Sequence, residues 1–222
     1  MGRPRTGVVV LVSGSGSNLQ ALIDARARGE LPVDLLGVVS NRPGVRGLER
    51  AQAAGIPTEV LDHRPFAERA DYDARLQTCI DAMQPDLVVL AGFMRILTDA
   101  FVGHYRGRML NIHPSLLPAL RGLHTHERAL ADGHREHGCS VHFVTPALDA
   151  GPVVAQGVVP VAADDDPQRL AARVQAQEHR VYPLVVRWFA EGRLALQGEA
   201  VELDGATLER PLRIHPDAPL PE

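Results

Sequence analysis

The segment Arg108-Met109-Leu110-Asn111-Ile112-His113-Pro114-Ser115-Leu116-Leu117-Pro118 sets an amide and a titratable imidazole two residues apart, beside a proline-framed turn. Met109, Leu110 and Ile112 give it strand character, and on a strand Asn111 and His113 point to the same face. An amide donor and an imidazole aimed at one point could stabilise a developing oxyanion and move a proton. Pro114 and Pro118 keep the following residues out of a helix or a central strand, which leaves the pair at an open strand end of the kind where α/β folds bind substrates. Alone, an Asn-x-His triplet is more simply a turn former and a core histidine. The rest of the chain must decide.

A second stretch with chemical potential is Ser13-Gly14-Ser15-Gly16-Ser17-Asn18, between the apolar run 7–12 and the helical periodicity of Leu19, Leu22 and Ile23. Such a turn aims backbone N–H groups and a helix N-terminus at an anion, with Ser17 or Asn18 as cap or extra donor. The dinucleotide fingerprint needs a third glycine where Leu19 stands, and the strand at 35–40 runs into Ser40-Asn41-Arg42 with no carboxylate for a ribose. A single phosphate fits better than NAD. A third stretch, Thr145-Pro146-Ala147-Leu148-Asp149-Ala150-Gly151-Pro152, is a tight loop carrying one carboxylate, and spacing alone makes Asp149 a turn residue. The ten histidines form no H-E-x-x-H, and Cys79 and Cys139 cannot build a thiolate site, so no metal is expected.

The elements that would position these groups alternate. A strand at 7–12 precedes the first helix, the strand at 35–40 precedes a helix at 45–54 ended by Gly55, and a short strand at 58–61 precedes a helix at 66–83 closed by Pro85. Strand 86–91 then opens into Gly92-Phe93-Met94-Arg95-Ile96-Leu97, a strand-end loop whose Gly92 and Arg95 would suit a flat heterocycle held by backbone groups. Apolar strands in alternation with helices predict right-handed βαβ units, an α/β class and a mostly parallel sheet. Beyond the Asn111/His113 strand, the pattern predicts a short helix at 127–131, a strand at 139–144 and an antiparallel return at 153–161. A long helix follows, opened by Asp166-Pro167 and kinked by Pro183, with Gln175, Glu178 and His179 on its more polar side. A ribbon at 194–197 and 200–203 precedes a proline-rich tail, expected to be extended or loose from about Thr207.

Composition narrows the function classes. The 222 residues are 45% hydrophobic, enough for a proper core. A formal net charge of −4 gives no global attraction to nucleic acid. All 23 basic residues are arginine, which removes Schiff-base lysine chemistry and the lysine-dependent phosphate loop. Two cysteines and an N-terminal apolar run too short for a signal or a span point to the cytoplasm and to no membrane partner. Gly2 with Thr6 formally fits a myristoylation pattern, but nothing nearby supplies a second membrane signal.

Taken together and in order, Ser13–Asn18, Ala91–Leu97, Asn111-Ile-His-Pro-Ser-Leu-Leu-Pro118, His137-Gly-Cys-Ser-Val-His-Phe-Val144, Leu148-Asp-Ala-Gly-Pro152 and Gln175-Ala-Gln-Glu-His179 closely resemble the phosphoribosylglycinamide formyltransferase family. The resemblance runs from Val8 to about Leu203. It implies a Rossmann-like three-layer fold with a glycine-rich phosphate loop after the first strand. It implies one formyltransferase domain over residues 1–206, with a nucleotide-binding half at 1–105 and a catalytic, folate-binding half at 106–206, then the tail at 207–222. The implied activity is formyl transfer from 10-formyltetrahydrofolate, as co-substrate, to the amine of glycinamide ribonucleotide in purine synthesis, by a monomer or homodimer and without a metal.

Carried over residue by residue, Asn111, His113 and Asp149 would be catalytic. Gly16, Ser17 and Asn18 would hold the ribonucleotide phosphate, and Gln175, Ala176, Gln177 and Glu178 its ribose and glycinamide part. Arg69 would reach the folate tail. Met94, Arg95, Ile96 and Leu97, together with Asn111 and Thr145, Pro146, Ala147, Leu148 and Asp149, would contact the folate. The chain departs from the family's bacterial pattern at Leu120, where an aromatic is expected, and at Ala150, which replaces a commoner glycine. Methionyl-tRNA formyltransferases and formyltetrahydrofolate hydrolases share the Asn, His and Asp set but carry a further domain, so they resemble this chain less well. A nicotinamide-dependent dehydrogenase conflicts with Leu19, and a non-catalytic nucleotide-binding protein would not need the three polar groups together.

Overall fold

The computed structural model describes residues 5–221, so Gly2 lies outside the described residues. The chain divides into two compact units, up to Asn111 and from Ile112 onwards.

In the first unit, β1 (Thr6–Val12), β2 (Val33–Ser40), β3 (Thr58–Val60), β4 (Leu87–Leu90) and the first residues of β5 (Met109–His113), which crosses the boundary, alternate with α1 (Ser17–Ala27), α2 (Arg46–Ala53), α3 (Arg69–Asp81) and α4 (Asp99–His104). All the pairings are parallel: β5 on β4, β4 on β1, β1 on β2 and β2 on β3. Parallel strands covered on both faces need continuous apolar runs, and residues 8–12 of β1 are fully buried. Asp86 fixes the register of the centre, its carboxylate accepting from the Gly7 amide at 2.7 Å while its own amide donates to the Gly7 carbonyl at 2.8 Å. Helix α4 was not anticipated. Its one clear signal is Thr98, whose hydroxyl accepts from the Phe101 amide.

In the second unit, α5 (Thr125–Ala131) precedes β6 (Glu136–Phe143) and β7 (Val153–Pro160), an antiparallel pair whose register shifts between Val141 and His142. Helix α6 (Pro167–Ala190) packs on both strands. Asp166 caps it by accepting from the Arg169 amide at 2.8 Å, and it runs as helix through Pro183. A small antiparallel sheet follows, of β8 (Leu194–Gln197), β9 (Ala200–Leu203) and β10 (Ala206–Thr207). The tail corrects an expectation, because β11 (Leu212–Ile214) pairs in parallel with β7 instead of lying loose. An edge strand offers unpaired N–H and C=O groups, and Leu-Arg-Ile places Ile214 in the core. Arg180 of α6 holds the residues beyond it, donating to the carbonyls of His215, Pro216 and Ala218 at 3.1, 2.6 and 2.7 Å. With most of the pairings in the eight-stranded sheet parallel, and helices between the strands, the fold is α/β with a mostly parallel sheet.

Candidate active site

The glycine turn is built by its neighbour α2. Gly16 has φ 67° and stands as N-cap of α1, so neither Ser17 nor Asn18 occupies the cap position, both being the first residues of the helix itself. A Cβ on Gly16 would lie 2.5 Å from the Cα of Gly47, and the Gly47 amide donates to the Gly14 carbonyl at 3.0 Å. Arg50, one turn further along α2, donates from Nε to the Ser15 carbonyl at 2.9 Å and from its terminal nitrogen to Gln20. The backbone around 14–18 is therefore held against a helix, at the N-terminus of α1 where an anion is favoured. Gly47 and Arg50 escaped the reading of the sequence, although their spacing of three on a helix places them on one face.

After β4, Gly92 turns the chain with φ 76°. Met94 and Ile96 are 61% and 53% exposed, whereas Leu97 is core. Arg95, expected to meet a heterocycle through its backbone, has its side chain turned elsewhere. Its guanidinium lies 4.5 Å from the centre of the Tyr72 ring, a cation–π contact that turns it towards α3. Asp73 of the same helix accepts from the Thr98 amide at 2.6 Å and fixes the far end of the loop. Arg69 is exposed as the first residue of α3. Apolar side chains left in solvent at Met94 and Ile96, on a backbone tied at both ends, make a surface suited to a flat ligand.

The structure brings His113 and Asp149 together. His113 Nδ1 is 3.5 Å from Asp149 Oδ2, with the two side chains only 8% and 9% exposed. The other ring nitrogen, Nε2, bonds the Leu120 carbonyl at 3.0 Å. A carbonyl only accepts, so Nε2 carries a hydrogen, and an acceptor at each nitrogen is complementary to the imidazolium. Leu120 holds that carbonyl in place with φ 55°, a left-handed conformation costly for leucine, of order 1–2 kcal/mol. Asp149 is itself at φ 47°, which aspartate tolerates better, and it accepts from the Gly122 amide at 2.9 Å. Ala150 leaves the turn intact, its amide donating to the Ala147 carbonyl at 3.3 Å. Glycine is needed one position later, where a Cβ on Gly151 would overlap the Phe143 carbonyl. Asn111 lies two residues before His113 on β5, opposite Leu90 of β4.

The backbone between His113 and Gly122 is fixed by buried side chains of β6 and β7. Ser140 donates to the Ser115 carbonyl at 2.7 Å and accepts from the Leu117 amide at 3.0 Å, and Gln156 donates to the Leu117 carbonyl at 2.9 Å. Thr145 to Leu148 form the loop before Asp149, with Pro146, Ala147 and Leu148 exposed. On α6, Gln175 and Ala176 are exposed while Gln177 and Glu178 are buried. The four do not share a face. Glu178, expected on the polar side of the helix, is 9% exposed, because a run of four residues on a helix sweeps past both sides.

The remaining histidines give the unit a pH dependence. His126 Nδ1 lies 3.1 Å from His137 Nε2, and His137 is pushed down to about 4, mainly by burial and then by the neighbouring His126. Burial likewise lowers His126 and His142 below the ordinary histidine value. Since these rings bind protons less readily folded than unfolded, stability is complete above pH 6.5 and falls as the pH drops from about 6.5 towards 4. His137 alone is expected to remove roughly 2–3 kcal/mol over that window. Urea midpoints measured from pH 7.5 to 4.5 should fall steadily, and a flat profile would contradict neutral, buried rings. Among the described residues no group of three or more His, Cys, Asp or Glu could hold a metal ion, and no helix is long and apolar enough to cross a membrane.

Comparison with known proteins places this geometry. The formyl transferase family model matches residues 6–186. Phosphoribosylglycinamide formyltransferase of Escherichia coli (strain K12) is 56% identical over 201 residues, covering 90% of this chain and 95% of that one. The structure of phosphoribosylglycinamide formyltransferase from Coxiella burnetii superposes with a TM-score of 0.91 at 51% identity, over 95% of this chain and 99% of that one. A formyltetrahydrofolate deformylase from Pseudomonas putida KT2440 is more distant, with a TM-score of 0.81 at 28% identity over 91% of this chain and 72% of that one. The chain belongs to the formyl transferase family, among its phosphoribosylglycinamide formyltransferases.

Proposed function

We propose that the chain transfers the formyl group of 10-formyltetrahydrofolate to the amine of glycinamide ribonucleotide, giving formylglycinamide ribonucleotide and tetrahydrofolate, in the cytoplasm as a step of purine synthesis. The observation that carries the chemistry is the buried His113/Asp149 pair at the end of β5, with Asn111 two residues before it. Attack of the amine on the formyl carbon forms a carbon–nitrogen bond and puts negative charge on the formyl oxygen. Asn111, through its amide, and protonated His113 are the donors for that oxyanion. Collapse breaks the bond to the folate nitrogen, a poor leaving group that must gain a proton, while the attacking amine must lose one. His113 supplies that proton from Nδ1, the nitrogen not committed to the Leu120 carbonyl, and takes up the proton lost by the amine, while Asp149 orients the ring and sets an anion beside its charged form.

Gly16, Ser17 and Asn18 take the nucleotide phosphate on the backbone at the start of α1. Gln175, Ala176, Gln177 and Glu178 contact the rest of the nucleotide. Met94, Arg95, Ile96 and Leu97, with residues 145–149, contact the pterin, mostly through the backbone, and Arg69 reaches the folate tail. The protein acts as a monomer or homodimer. Replacing Gly16 with Ala places a Cβ against Gly47 at a left-handed φ, so the turn must open. Nucleotide affinity should fall at least about tenfold, with folate affinity changing far less. Equal loss of both would contradict a phosphate loop at Gly16.

The test of the reading is to mix the purified protein with 10-formyltetrahydrofolate and follow the folate absorbance with and without glycinamide ribonucleotide. Nucleotide-dependent conversion, unchanged after chelator treatment, is expected. Release of free formate at the same rate without nucleotide would instead assign a deformylase.

A further inference from the structure

The loop proposed to hold the nucleotide phosphate and the loop proposed to contact the pterin leave from neighbouring parallel strands, β1 and β4. One residue joins them. Ser13 is the first residue after β1 and is 4% exposed. Its backbone amide donates to the Gly92 carbonyl at 3.1 Å. Its hydroxyl accepts from the Met94 amide at 2.8 Å and donates to the Asn41 side-chain oxygen at 2.6 Å. Asn41 is fully buried just beyond β2, where its carbonyl meets His63 Nδ1 at 3.0 Å. A hydroxyl has one hydrogen to give, and here it goes to the end of β2, while a lone pair takes the amide of the pterin loop.

Packing alone would be served at this position by alanine, without the cost of removing a hydroxyl from water. The hydroxyl instead ties the backbone of Met94 to the residue that opens the Ser13–Ser17 turn. Movement of either loop therefore has to break or carry the same two bonds. Building on the formyl-transfer reading above, we propose that Ser13 is a positioning residue that couples the two ligand sites, so that nucleotide bound at Gly16, Ser17 and Asn18 sets the backbone of Met94 to Leu97 for the folate. Coupling of this kind is reciprocal: folate must tighten nucleotide by the same factor as nucleotide tightens folate.

The experiment is calorimetric titration of the full chain with tetrahydrofolate, which has no formyl group to transfer, with and without saturating glycinamide ribonucleotide. In the parent, the nucleotide should tighten tetrahydrofolate binding by roughly 5- to 50-fold, within the usual range of coupling between sites. In Ser13→Ala that factor should shrink to about two or less, while the affinity for nucleotide alone stays within about threefold of the parent. Should Ser13→Ala fail to fold, Ser13→Cys keeps the volume with a weak hydrogen-bonding thiol and is expected to lose the coupling in the same way. A merely structural role would lower the melting temperature and leave the factor intact. A variant that keeps the parent's factor, or a parent in which the two ligands bind independently, overturns the inference alone. A parent that binds neither probe overturns the formyl-transfer reading beneath it.

Discussion

Replacing Asp149 with Asn should lower turnover by roughly 10²–10⁴, the range expected for loss of a positioned general acid. The carboxylate stands 3.5 Å from His113 Nδ1, with both side chains largely buried. Asparagine keeps the size and can still accept from the Gly122 amide, so the turn at φ 47° should survive. What is lost is the anion facing Nδ1. With Nε2 already committed to the Leu120 carbonyl, Nδ1 then faces a neutral amide in place of the anion that would meet a developing positive charge on the ring. The Nδ1 shift of His113, read by NMR, should move in the variant while that of Nε2, bonded to the Leu120 carbonyl, stays. An unmoved Nδ1 would leave Asp149 as a turn residue and pterin contact only. Nucleotide affinity should change much less than turnover, since Gly16, Ser17 and Asn18 are untouched.

Replacing Asn111 with Ala should lower turnover by roughly 10²–10³, the loss seen when one oxyanion donor is removed. Asn111 is half-buried on β5 and paired across to Leu90, so shortening the side chain leaves the strand ladder in place. The donor acts on charge that exists only after attack begins. Turnover and the specificity constant should therefore fall together, with little change in the affinity for either substrate. A large rise in KM at unchanged turnover would move Asn111 from oxyanion stabilisation to ground-state binding. A variant whose melting temperature collapses would make it a structural residue of β5.

Much of the frame is legible in the sequence because its causes are local. The run Val8–Val12 is buried on both faces and so reads as continuous apolar residues, and the ribbon at 194–197 and 200–203 folds where its alternation places it. Asp166-Pro167 announces α6 because cap and first-turn proline act within one turn. Other features depend on partners far along the chain. Strand β11 forms only because β7 presents an edge some 55 residues earlier, a pairing that no local pattern in a proline-rich tail announces. The six residues of α4, with Gly103 among them, are too few to show a helical period.

The site divides in the same way. Asn111 and His113 share a strand and are visible together, whereas Asp149 looks like a turn residue by spacing. It is a turn residue whose left-handed backbone also brings its carboxylate to 3.5 Å from the ring. The resemblance to known formyltransferases named Asp149 when periodicity could not. Gly47 and Arg50, and the bonds Ser13 makes within its motif, act through contacts to backbone carbonyls and amides, which leave no pattern in residue type.

The measurement that bears most directly on the account is a double-mutant cycle on turnover with His113→Ala and Asp149→Asn. If the carboxylate acts only through the ring, His113→Ala alone should cost roughly as much as Asp149→Asn, and adding the second change should lower turnover by less than about threefold beyond the worse single variant. Losses that multiply, so that two drops of about 10³ become one of about 10⁶, would show that the two groups act independently and that the pair is not the acid of this reaction.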